Sequence, residues 1–170
     1  MSSQLVRCRN MIVDAITAYQ QSPGFPYNGF SVAASCIPFQ RIEDPNTQLG
    51  KVWVIGSHVD EKDRKTRHDP SGNTPPLVMR EICCQVAYQQ SNISPDDLPT
   101  VDSLLWTQEL IRDVVKNYNY IRPATPSFNP LWVRNETLKD DNGQPFHYMM
   151  LREANTFETY FSAYFVIPHQ

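Results

Sequence analysis

Two long runs of period-two alternation constrain this chain most. From Thr156 to Ile167, the residues Phe157, Phe161, Ala163, Phe165 and Ile167 fall on one side of an extended chain, and Glu158, Tyr160, Ser162 and Tyr164 on the other. Successive strand side chains point to opposite faces, so this run predicts a strand at or near the centre of a sheet. Leu77 to Tyr88 is the longest strand candidate. Val78, Arg80, Ile82, Cys84, Val86 and Tyr88 share one side, and Leu77, Met79, Glu81, Cys83, Gln85 and Ala87 the other, with one side expected to be drier. Shorter candidates rich in β-branched and aromatic residues are Phe30 to Phe39, Lys51 to Ser57 and Leu131 to Leu138.

Helical spacing occurs twice. Between Leu5 and Tyr19, the apolar residues Leu5, Cys8, Ile12, Ala15, Ile16 and Tyr19 recur three or four apart, with Ser2 and Ser3 available as caps. Two prolines and two glycines from Ser22 to Gly29 stop that helix. The second helix is expected to be capped by Thr100, with Asp102 in its first turn. Its buried stripe is Val101, Leu104, Leu105, Leu110, Ile111, Val114, Val115 and Tyr118, and Glu109 and Arg112 lie at its exposed edge. Gln40 to Gly50, Ser91 to Pro99 and Asn119 to Pro130 read as connections, and Asp140-Asp-Asn-Gly143 as a turn. The expected fold is α+β: a mainly antiparallel sheet with hairpin-type connections and two main helices packed on one face, all in one domain spanning residues 1–170.

From His58 to Pro76 the chain turns charged and then rich in Ser, Gly, Asn and Pro, which predicts an extended hairpin arm with little to bury. Asp60, Glu61, Asp63 and Asp69 balance Lys62, Arg64, Lys65 and Arg67, a pattern unlike that of an arm built to grip nucleic acid. The whole chain agrees: its formal net charge is -3, where an electrostatic nucleic-acid binder carries a basic excess. With 41% hydrophobic residues and no apolar run near the length of a membrane span, it reads as a folded, soluble domain without an export signal. The four cysteines, Cys8, Cys36, Cys83 and Cys84, show no repeating spacing and fit a reducing compartment.

No reaction centre emerges from the residues. His58 with Asp60, and His68 with Asp69, lack the further ligands of a three- or four-ligand metal site. Cys83 and Cys84, adjacent on a strand, point to opposite faces and cannot share one activating base. Asp96-Asp97 and Asp140-Asp141 sit where carboxylates form turns. Trp53, Trp132 and the phenylalanines of the last strand lack the interleaved cations of a nucleic-acid stacking platform and read as core. No catalytic residue, cofactor or metal is expected. What folding leaves unexplained is the polar arm, the extended strands and the Pro-rich crossings, the parts with which subunits reach their neighbours by strand addition or arm exchange.

In order and texture the chain resembles the tail terminator (tail completion, minor tail) proteins of long-tailed bacteriophages. The likeness runs from Leu5 to Ile167. It rests on the opening amphipathic helix, Lys51-Val-Trp-Val-Ile-Gly-Ser57 running into Asp60-Glu-Lys-Asp-Arg-Lys-Thr-Arg67, and the strand from Val78 to Ala87. The helix Val101 to Arg112, and Met150-Leu-Arg-Glu-Ala-Asn-Thr-Phe157 leading into the last strand, complete it. The resemblance implies a virion protein of the tail or neck, assembled in the host cytoplasm. Its copies would form a ring, hexameric in that family, that caps the tail tube, ends its polymerisation and joins it to the head connector while DNA passes through the channel. The partners implied are the chain itself, the tail tube protein and the head-completion protein. Asp60, Glu61, Asp63, Arg64, Lys65, Arg67 and His68 are then the candidate subunit or tube interface. The Asn119 to Pro130 segment is longer than the family pattern, and the balanced arm departs from it. A head-completion or connector adaptor of the same machine stays open, as does a small α+β ligand-binding or enzymatic domain. The scattered positions of His58, His68, His147 and His169 speak against the last.

Overall fold

Ser3 begins the first helix, α1 (Gln4–Gln20), by accepting the Val6 amide on its Oγ at 3.3 Å. At the other end the Ser22 hydroxyl donates to the Tyr19 carbonyl at 2.6 Å, satisfying a backbone group the helix leaves open. The computed structural model describes residues 3–23, 30–35, 50–64, 77–91, 93–94, 96–117, 130–137, 142, 149–151 and 156–168. Within them, six strands form one mixed sheet: β1 (Phe30–Ser35), β2 (Gly50–Arg64), β3 (Leu77–Gln90), β4 (Leu131–Thr137), β5 (Met149–Leu151) and β6 (Thr156–Pro168). Five stand in the order β1-β2-β3-β6-β4, and β5 pairs with β6. With α2 (Leu98–Lys116), this is an α+β fold.

The register sorts the side chains onto two faces. Val52, Tyr88 and Thr159 share a row, as do Val54, Val86 and Phe161, and then Cys84 and Ala163, and Ile82 and Phe165. Apart from the buried Thr159, these residues pack into one cluster with Cys8, Met11, Ile12, Ala15 and Ile16 of α1 and with Val101, Leu104, Ile111, Val114 and Val115 of α2. Burying each such aliphatic or aromatic side chain contributes about 1.5–3 kcal/mol. Three ties set the pose of α1: Gln20 Nε2 donates to the Phe30 carbonyl at 2.6 Å, Arg80 Nη1 donates to Gln4 Oε1 at 3.3 Å, and Leu5 sits over Gly56. A Cβ on Gly56 would lie 2.9 Å from Leu5 Cγ, so the bare glycine is what lets the helix approach the sheet there.

The structure departs from the sequence expectations in four places. The charged run does not leave the sheet after Ser57: β2 continues to Arg64, with its pairs His58↔Cys83 to Arg64↔Leu77 supported by β3. A one-residue register shift between Gly56 and His58 marks a bulge, and β6 flanks β3 up to Met79↔Pro168, so residues 58–62 lie in the body of the sheet rather than in an arm. Second, β1 pairs with β2 in parallel, Phe30↔Gly50 to Ser35↔Ile55, and parallel neighbours need a crossover rather than a hairpin. Third, the cap of α2 is Asp97 rather than Thr100. Its Oδ1 accepts the Thr100 amide at 3.3 Å and its Oδ2 the Thr100 hydroxyl at 2.6 Å, while Pro99 sits in the first turn, where no amide donor is needed. Fourth, both sides of β3 are dry. Cys83 lies between His58 and Tyr164, and Ala87 between Trp53 and Tyr160, so longer neighbours cover these small residues. Lys65, Arg67, His68, Cys36 and the 119–129 segment lie outside the described residues.

Candidate functional site

Of the seven residues singled out as an interface, Asp60, Glu61, Asp63 and Arg64 stand on β2 and Lys65, Arg67 and His68 fall outside the described residues. The strand places them along an edge. β1 covers β2 only as far as Ile55, so from Gly56 to Arg64 the side of β2 away from β3 meets no strand among the described residues. Opposite these charges β3 supplies Glu81 for Asp60, Arg80 for Glu61, Met79 for Lys62, Val78 for Asp63 and Leu77 for Arg64. In register, Glu61 is the one of these residues whose β3 partner is of opposite charge. His58 and Asp60, both about half exposed, point to the face away from the helices, with Nε2 and Oδ2 3.7 Å apart. Ser57 Oγ lies 3.0 Å from His58 Nδ1.

The opposite edge of the sheet carries a second charged group that sequence reasoning missed. Arg134 on β4 reaches both Glu81 oxygens, at 3.1 and 3.4 Å, and donates from Nε to Glu136 at 2.6 Å. Its guanidinium carbon lies 4.0 Å from the centre of the Tyr164 ring, a cation–π contact. The hydrogen bonds to Glu81 and Glu136 push Arg134 further above its ordinary value, so it is a fixed cation. Burial, and then the nearby Cys83 thiol, lifts Tyr164 to about 12, so the phenol stays neutral. The register places His58, Cys83, Tyr164 and Arg134 in one row across the sheet. The signals available beforehand were the same-face spacing of Arg134 and Glu136 and a lone acid, Glu81, within an apolar strand.

Among the described residues no three His, Cys, Asp or Glu side chains are placed to hold a metal ion. The Cys83 and Cys84 thiols lie on opposite faces, and burial pushes both up, the state of packing thiols rather than nucleophiles. An open groove of about 440 Å3 between α2 and β4 is lined by Glu109, Arg112, Asp113, Lys116, Arg134 and Asn135. Its charges are of mixed sign, and Asn135 Nδ2 is already spent on the Arg112 carbonyl at 3.4 Å. No described helix is long and apolar enough to cross a membrane. No protein-family model matches the chain, and no curated protein matches it either.

Proposed function

We propose that this chain is a structural subunit of a bacteriophage tail: a tail terminator whose copies close into a ring on the end of the tail tube. The observation that carries this reading is the charged continuation of β2 past the end of β1, an edge with no strand beside it among the described residues. Such an edge is a template for a neighbouring chain. It is accompanied by the likeness in element order given above. In this role function is geometry. One side of the ring binds the last tube subunits, the other meets the head connector, and an acid-leaning chain lines a channel without holding DNA.

The experiment is to add the purified chain to polymerising tail tube subunits and measure tube length by electron microscopy. A terminator shortens and caps tubes and shows a ring at one end; a chain that leaves the length distribution unchanged and binds no tube end refutes the reading. Replacing Arg64, Lys65 and Arg67 together by Ala leaves the monomer folded and weakens ring formation or tube docking. Unaltered assembly of that variant removes the segment from the interface.

A further inference from the structure

The two edges of the sheet fit each other. Across the sheet β2 and β6 run one way and β3 and β4 the other, so β4 of one copy meets β2 of an identically oriented neighbour antiparallel, with no turn-over. The two strands stand at overlapping heights, since the registers carry Leu131 through Val166 and Glu81 to Asp60, and Arg134 through Tyr164 and Cys83 to His58. His58, Asp60, Arg134 and Glu136 all belong to the face away from the helices. They keep a common face in a joined sheet because directly opposite residues share a side.

We propose that copies of this chain join head to tail, β4 of one pairing with the half of the next copy's β2 that no described strand covers, with Arg134 opposite Asp60 and Glu136 opposite His58. This rests on the ring reading and names its joint. Charge selects the register. A slip by one residue turns these side chains to different faces. A slip by two sets Arg134 against Lys62 and Glu136 against Asp60, or else Arg134 against His58. The proposed register is staggered by two residues, about 7 Å, from level alignment, and closed sheets carry such stagger as strand tilt. Charges along an edge ordinarily keep foreign strands away. Here they reject other edges and admit one, the complementary edge of the same chain.

The test is sedimentation of the full chain over a concentration series at low ionic strength, with circular dichroism to show that each variant folds. Asp60→Lys sets a cation against Arg134, and His58→Glu an anion against Glu136, each at a half-exposed position. Each is expected to weaken association about tenfold. Adding Glu136→Lys to His58→Glu restores it. Wild-type multimers that both single variants form unchanged, or a double variant no better than His58→Glu, overturn the joint and leave the ring reading standing. Wild-type chain that stays a monomer throughout overturns both.

Discussion

Two residues show how tightly the core is set. A Cβ on Gly50 would lie 2.6 Å from Cε2 and 2.8 Å from the hydroxyl of Tyr88. Tyr88 has nowhere to go: it donates to Gln90 Oε1 at 2.9 Å and meets Phe30 and Phe157 edge to face. Gly50→Ala is therefore expected to destabilise the fold by about 1–3 kcal/mol, read from the denaturant midpoint. Cys8 on α1 is fully buried, and that burial raises its thiol from 9.0 to about 12. Between those values the folded chain keeps a proton that the unfolded chain has lost, so stability falls as the pH rises through the window. Cys84 acts in the same direction. Cys8→Ala is expected to flatten the decline in melting temperature between about pH 9 and about pH 11, at the cost of some stability at neutral pH.

At the scale of elements, the helices were legible and the strand ends were not. The apolar stripes of α1 and α2 follow from local spacing, and Val101, Leu104, Ile111, Val114 and Val115 are buried. Thr107 and Gln108 complete the buried side of α2, although nothing in their polarity announces it. The α2 cap lies three residues before Thr100 because Pro99, which reads as the end of a linker, serves as readily in the first turn of a helix. Asp97→Ala is expected to cost about 1 kcal/mol, and Asp97→Asn to recover most of it, measured by chemical denaturation. The far half of β2 was illegible for a different reason. Its run of charges has no apolar alternation, and what holds it is the length of β3 across the ladder. The charged segment itself could be picked out from composition. For Arg134 only its spacing from Glu136 is local; its partner Glu81 is 53 residues away and pairs with it only once the sheet exists.

For the molecule as a whole, the strand order is the part no local pattern contains. The parallel pairing of β1 with β2, and the placing of β6 between β3 and β4, depend on contacts between residues distant in sequence. Assembly adds a dependence that an isolated domain lacks. If copies bind one another only when folded, the melting temperature is expected to rise with protein concentration and to lose that rise in high salt, measured by calorimetry on a dilution series. A concentration-independent transition counts against self-association. The position of β6 also bears on how the protein is made. The strand synthesised last of the six is flanked by β3, β4 and β5, so a ribosome that has not passed Thr156 has delivered those three strands with their shared neighbour missing. Emergence of β6 is then the step that joins β3 to β4 and β5, and chains that stop before Thr156 should be cleared rather than incorporated.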